Sequence, residues 1–481
     1  MLTNPFLKAM SICEGTISII DPNCKIYTRI WCIYELYKSV MENDRKYEFD
    51  IYTKIDDDDN NNNNNDNNNN KAVGITHGYL LSDKKRGDDI KSYTKKQRES
   101  KYPLDNILQS INVDIKDAES SIESDRNYIL NIITGQSKSK KICNQHNNYD
   151  TLNDILRGIF ITPVIDRIIK EKDINIINQC LYILKLSNSK IINIDVRDCI
   201  KFDNTLLTNL IDNLPLQIID FTLMFHGSSV TRKDLHLCYQ KFKYFKYLEN
   251  LDLSFCNIND DIIKIIIETM LIINQKLKKL NVCHNNISNY GLIEIAKGLK
   301  NNSSLLSLDL SGNKLTYINF ISSTCCLMKD YSMLRFNLYD GKQYDGVTEL
   351  AHALENHPSL LSLNISATNI TNNGIKKISI SLKNNYILQY LDLSENNIGD
   401  DGAIEIADAL RVNNTLKSLN LYCNMIGDEG IFNLVDSLKV NYNLSSLYLS
   451  ENNIGDDGDE YLTIIKQEFE DSHRSINLSW W

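Results

Sequence analysis

The stretch LQYLDLSENNIGDDGAIEIADALRVNNT, Leu388 to Thr415, runs directly into LKSLNLYCNMIGDEGIFNLVDSLKVNYN, Leu416 to Asn443. Laid one over the other, the two 28-residue blocks match at the leucines, at an asparagine and at an Ile-Gly-Asp step. Outward from them the same pattern recurs as LENLDLSFCNI, LKKLNVCHNNI, LLSLDLSGNKL, LLSLNISATNI and LSSLYLSENNI. The first leucine of each L-x-L pair falls at Leu251, Leu280, Leu308, Leu363, Leu391, Leu419 and Leu447, in steps of 29, 28, 55, 28, 28 and 28. A fixed period of this length is the mark of a stacked-repeat architecture. The 55-residue step divides into 28 and 27 if Phe336-Asn337-Leu338 is a degenerate strand. Weaker strands fit at Ile194-Asp195-Val196 and Phe221-Thr222-Leu223, and a closing one at Ile476-Asn477-Leu478, so about ten full turns and a final strand are expected.

The chemistry of one unit dictates its shape. L-x-L places two apolar side chains on one face of a short strand, and the next turn of chain must bury them. After Leu391, Gly399-Asp400-Asp401-Gly402 opens a helix with acid at its positive end, Ile404, Ala407 and Leu410 form the expected inward stripe, and Asn413-Asn414 stops it. Strand plus helix in 28 residues predicts an α/β solenoid, parallel strands inside and helices outside.

These units resemble leucine-rich repeats of the ribonuclease-inhibitor type, as in NOD-like receptors, over about Ile192 to Trp481. The resemblance implies a horseshoe whose fifth residue after each strand leucine bonds the turn backbone. That residue reads Cys199, His226, Cys256, Asn285, Asn313, Gly341, Thr368, Asn396, Asn424 and Asn452, with His226, Gly341 and Thr368 departing from the usual Asn or Cys. Such Asn and Leu positions are architecture, so partner recognition belongs to outward strand positions. Small polar residues dominate there, as in Asp252/Ser254, Asp309/Ser311 and Asn364/Ser366. The candidate binding residues are Tyr390, Tyr422 and Tyr448 on three successive strands, expected to form one patch, with Trp480 extending it at the open end and Tyr339 lying further along.

Ahead of the repeats the composition shifts. Ile55 to Asn70 (IDDDDNNNNNNDNNNN) has too few apolar groups to order itself and reads as a solvated loop, and Lys84 to Lys101 as a charged surface. Gly15 to Met41 reads as a strand (Ile17, Ile19, Ile20), a turn at Pro22-Asn23 and a helix whose apolar stripe is Ile30, Ile33, Tyr34, Tyr37 and Met41. Trp31-Cys32-Ile33-Tyr34-Glu35-Leu36 resembles the W-C-x-x-E-L helix of Toll/interleukin-receptor (TIR) domains; Thr28 to Glu35 is similar also to the T-R-x-W-C-x-x-E of a TIR-like module that precedes repeats, and Leu104 to Gly135 looks like the closing part of that module. That resemblance implies that a catalytic role in NAD cleavage would fall on Glu35. A whole TIR domain has strands ahead of this point, so a shortened domain with Trp31 and Glu35 as scaffold is expected. The resulting division is residues 1–55 partial TIR-like α/β, 56–103 low-complexity insert, 104–190 mainly helical continuation, and 191–481 repeats.

With 481 residues, 24% charged residues and a net charge of −10, the chain lacks the basic surplus that phosphate backbones demand, which argues against a nucleic-acid binder. Twelve cysteines include no CxxC pair, no run is apolar enough to span a bilayer, and MLTNPFLKAM lacks a secretory pattern, so a cytoplasmic setting is expected. No GxxxxGK[ST], HExxH, GxSxG or GxGxxG occurs, and no cofactor or metal is expected. The reading is a protein-binding scaffold working through the concave strand face. The alternatives are a TIR-like NAD-cleaving or TIR-assembling signalling protein and a GTPase activator, although SINLSWW at the end is not the acidic tail that the last would carry.

Overall fold

The computed structural model describes residues 15–20, 48–54, 72–75, 101–112, 114–121, 123–136, 146–187, 189–232, 235–315 and 345–480, with Cys32, Tyr37 and Glu99 besides. The chain divides into two compact units, residues 1–196 with 208–218, and residues 197–207 with 219–481.

The first unit holds a three-stranded sheet in which β1 (Gly15–Ile20) pairs parallel with β2 (Glu48–Lys54), and β2 antiparallel with β3 (Ala72–Ile75). β3 falls inside 56–103, and the Asn/Asp tract stands in the sequence between these two paired strands. Helices α1 (Leu104–Ser110), α2 (Glu123–Ile133), α3 (Asn147–Ile161), α4 (Ile165–Glu171) and α5 (Ile174–Leu186) follow, burying Ile107, Ile129, Leu156, Phe160, Ile168 and Leu181. Asp173 starts α5 by accepting the N–H groups of Asn175 and Ile176, an N-cap of the usual kind.

Ten strands follow one another in strict chain order in a single sheet: β4 (Ile191–Asp195), β5 (Asp220–Met224), β6 (Asn250–Asp252), β7 (Lys279–Asn281), β8 (Ser307–Asp309), β9 (Ser362–Asn364), β10 (Tyr390–Asp392), β11 (Ser418–Asn420), β12 (Ser446–Tyr448) and β13 (Asn477–Ser479). Every pairing from β5 to β13 is parallel and puts the central apolar residue of one strand opposite that of the next, Phe221 facing Leu251 at the start and leucine facing leucine thereafter, as in Leu391 with Leu419. Between strands lie α6 (Asn204–Asp212), α7 (Leu235–Gln240), α8 (Asp260–Ile267), α9 (Asn289–Lys300), α10 (Gly346–Glu355), α11 (Asn372–Asn384), α12 (Asp400–Leu410), α13 (Asp428–Leu438) and α14 (Asp456–Asp471). In α12 the inward stripe is Ala403, Ile406, Ala407 and Leu410; Ile404, assigned to that stripe from the sequence, stands half-exposed on its flank.

One expectation is overturned. Residues Phe336-Asn337-Leu338 lie outside the described residues, but β8 pairs directly with β9, Leu308 facing Leu363, which leaves no place in the sheet for a strand between them. The next helix confirms the adjacency, since the Gly346 N–H at the start of α10 donates to Asn289 Oδ1 of α9 at 2.6 Å. The 55-residue step is therefore one repeat carrying an added stretch of about one repeat's length, and the sheet makes nine turns and a closing strand.

Two ladders of side-chain amides bind turn to turn. In the first, Asn396 Nδ2 donates to the carbonyls of Ile365, Leu393 and Ser394, while its Oδ1 accepts the N–H groups of Thr368 and Ile370. Asn285, Asn313, Asn424 and Asn452 repeat the arrangement. Thr368, a departure in type, keeps its repeat regular: it is fully buried and its hydroxyl donates to the Ile365 carbonyl. Asn452 is half-buried because it stands at the end of the ladder.

The second ladder runs along the helix C-terminal rim. Asn302, Asn385, Asn413 and Asn441 each donate to a carbonyl of the preceding turn and accept two N–H groups of their own turn, as Asn413 does toward Leu382 and Asn385 and from Thr415 and Leu416. His357 takes the same position, its Nδ1 accepting from Ser359 and Leu360 at 3.3 and 3.1 Å. At the last turn Arg474 replaces the next asparagine, donating to the Leu438 and Asn441 carbonyls with its guanidinium over the Phe469 ring.

Candidate binding surface

The register converts sequence position into height on the strand face. Three rows of side chains point away from the core: one residue before, one after and three after each first strand leucine. The middle row reads Asp252, Asn281, Asp309, Asn364, Asp392, Asn420, Tyr448 and Ser479. Its acids and amides satisfy one another, for Asn281, Asn364 and Asn420 donate to Asp252, Asp309 and Asp392 at 3.1, 3.1 and 2.9 Å. The other carboxylate oxygen of each Asp accepts the N–H of its own strand's Ser254, Ser311 or Ser394. These acids are thus committed to holding neighbouring strands together.

The tyrosines stand out from this self-satisfied background. Tyr390 is 49% and Tyr422 40% exposed, and Tyr448 is half-buried. Tyr390 occupies the first row, opposite Ser362 and Ser418, and Tyr448 the middle row, opposite Asn420 and Ser479. Tyr422 belongs to the third row, among Ser366, Ser394 and Ser450. Tyr390 and Tyr422 are therefore about 13 Å apart along the strand direction, taking ~3.3 Å per residue. The three tyrosines thus stand on neighbouring strands but in three different rows.

Trp480 takes another role. It follows Leu478 by two, the frame in which Leu393, Leu421 and Leu449 point inward, and it is only 8% exposed. Its indole N–H donates to Asp459 of α14 at 2.7 Å, and the Lys466 ammonium lies 5.2 Å from its ring. Placing Trp480 on the binding face is accordingly corrected: with Leu462, Ile465, Phe469 and Leu478 it seals the last repeat. Glu35 and Tyr339 lie outside the described residues.

A second aromatic feature, missed in the sequence, sits on the fourth residue after the strand leucine, which adopts a left-handed backbone in Phe255, His284, Gly312, Ala367, Glu395, Cys423 and Glu451. Phe255 and His284 stack at 4.5 Å and 13°, with the Arg197 guanidinium 5.3 Å from the Phe255 ring. Gly312 completes the stack, since a Cβ on it would meet His284 Nδ1 at 2.5 Å. The signal was available: this position recurs with the leucine period, and side chains on adjacent turns at one position must stack.

Cys180, Cys199, Cys256 and Cys283 are free thiols. Cys283, on the strand face, is pushed up to about 12 by burial and by the carboxylates of Asp309 and Asp252, so it stays a thiol at neutral pH. Among the described residues no cluster of His, Cys, Asp and Glu could hold a metal ion, and no helix is long and apolar enough to cross a membrane.

A family model described as "Leucine Rich repeat" matches residues 246–264, 274–296, 301–317, 356–379, 385–407, 412–435 and 440–462. Its gap between 317 and 356 brackets the added stretch. Residues 246–462 are therefore a leucine-rich repeat array, the class that the parallel sheet and amide ladder also define. No curated protein matches the chain. Among solved structures, leiomodin-1 actin-binding site 2 is similar at 24% identity and a TM-score of 0.23, over 27% of this chain and 74% of that one. The tropomodulin C-terminal domain of Caenorhabditis elegans is similar at 14% identity and a TM-score of 0.26, over 28% and 82%.

Proposed function

We propose that this protein is a non-enzymatic binding scaffold that takes a protein partner on the concave, strand-lined face of its repeats, in a cytoplasmic signalling setting. The observation that carries the reading is the set of Tyr390, Tyr422 and Tyr448 side chains on a face whose remaining polar groups bond one another. Tyrosine offers large contact area at low entropic cost and is enriched among residues that dominate binding energy. Serines on the neighbouring strands leave room beside Tyr390 and Tyr422 for a partner's apolar groups. Exchange of Tyr422 or Tyr448 for Ala tests it. Either change should weaken partner capture by roughly 2 kcal/mol while leaving the melting curve nearly intact, and capture insensitive to both refutes the site.

A further inference from the structure

Two neighbouring repeats share a rim whose chemistry the strand face does not use. Their segments are KFKYFKYLE, Lys241 to Glu249, and LIINQKLKKL, Leu271 to Leu280. A 3-10 turn over Lys241–Tyr244 and a π-helical turn over Glu268–Ile273 deliver them to the edge where helices end and strands begin. They lie side by side, Asn274 Nδ2 donating to the Phe245 carbonyl at 3.1 Å and the Lys278 N–H to the Glu249 carbonyl at 2.7 Å.

Phe242, Phe245, Leu248, Met270, Leu271 and Leu277 point into the core, and what remains outside is unusual. Tyr244, Tyr247, Ile272 and Ile273 are 56, 55, 42 and 63% exposed. Lys243, Lys246 and Lys276 stand exposed among them, with the ammonium groups of Lys243 and Lys276 each 5.1 Å from the rings of Tyr244 and Tyr247. Of the nearby acids, Glu249 is tied to Lys278 at 2.7 Å and Glu268 opens the π-helical turn. In a chain of net charge −10 the rim is locally cationic and apolar at once.

This combination selects the occupant. A peptide strand would need free backbone groups to pair with, whereas the Glu249 carbonyl already accepts the N–H groups of Lys278 and Lys279, and the Lys278 carbonyl those of Leu306 and Ser307. A bilayer surface makes no such demand: aliphatic tips enter the acyl boundary, tyrosine rings rest at headgroup level, and lysines meet anionic phosphates within a Debye length. We propose that this rim docks on an anionic membrane surface, with Ile272 and Ile273 inserted, Tyr244 and Tyr247 at the headgroups, and Lys243, Lys246 and Lys276 against lipid phosphates. It is independent of the strand-face reading and leaves that face open.

The test is flotation of the full chain with vesicles of phosphatidylcholine alone or mixed with phosphatidylserine. Binding is expected only to the mixture, falling about fivefold for each of Lys243, Lys246 and Lys276 changed to Gln. The paired change Ile272→Ser and Ile273→Ser should remove roughly tenfold or more. All five side chains are exposed, so melting should not move, and a variant that does melt lower is replaced by Ile272→Ala with Ile273→Ala. No binding, equal binding to phosphatidylcholine alone, or variants that bind like the parent would overturn the proposal. So would retention on poly-glutamate in place of vesicles, which would give the rim to an acidic protein.

Discussion

Replacing His357 by Asn should flatten the acid sensitivity of the repeat unit. His357 is 3% exposed and fills a ladder position held by asparagine in neighbouring turns, with Nδ1 accepting two N–H groups and Nε2 buried without a partner among the described residues. Burial pulls its pKa from 6.5 down to about 4, because a proton on Nδ1 would be charged, buried and aimed at two donors. The unfolded chain binds that proton below about 6.5 and the folded chain only below about 4, so the native state loses stability as pH falls through that window. The full loss is the shift multiplied by the energy of one pKa unit, roughly 3 kcal/mol, and about two-thirds of it is reached at pH 5. His357→Asn keeps an acceptor for Ser359 and Leu360 and removes the titrating ring. Urea melts of parent and variant at pH 7 and pH 5 should show the parent losing roughly 2 kcal/mol more between the two. Taking the difference cancels the carboxylates common to both. Equal losses, or an NMR titration placing His357 near 6.5, would refute the reasoning.

Three further outcomes are expected. Asn396→Ala and Asn424→Ala should each cost roughly 1–3 kcal/mol in thermal melts, because buried turn carbonyls and N–H groups lose their partner; Asn452→Ala should cost least, and equal melting of all four proteins would contradict the ladder. Deleting Ser475 to Trp481 uncovers Leu447, Leu449 and the inner face of α14, so aggregation or loss of cooperative unfolding should follow, whereas a soluble truncation with unaltered melting would place the cap elsewhere. Cys283 should react with iodoacetamide at pH 8 more slowly than exposed Cys423, as read by peptide mass spectrometry, and faster labelling of Cys283 would show that its thiol is not pushed up.

Repeat, first ladder and most of the register could be read from spacing alone because burial repeats with the leucine period; the closing strand was set two residues early, at Ile476, where the sheet puts Leu478 opposite Leu447. The strand expected at Phe336, for which the sheet has no place, was inferred because a three-residue strand needs only an apolar-polar-apolar triplet, which chance supplies at almost any spacing. Trp480 was misplaced for a related reason: counting it as an aromatic ring at the open end ignored its frame, two after Leu478, which turns it inward. The second ladder was hidden because Asn413 at the end of a helix looks like a stop signal, and only the fold shows its amide reaching the preceding turn. The tyrosines stand outward to different degrees, and their heights depend on the row each occupies, which the spacing of the strands alone does not convey.

The strand-face account is tested most directly by capture from extract of the native cell, using the full chain beside Tyr422→Ala, Tyr448→Ala and their combination. The account predicts one partner held by the parent, weakened roughly thirtyfold by either single change, and lost with the pair. Unchanged recovery with the double variant would contradict it and place recognition elsewhere than on these tyrosines.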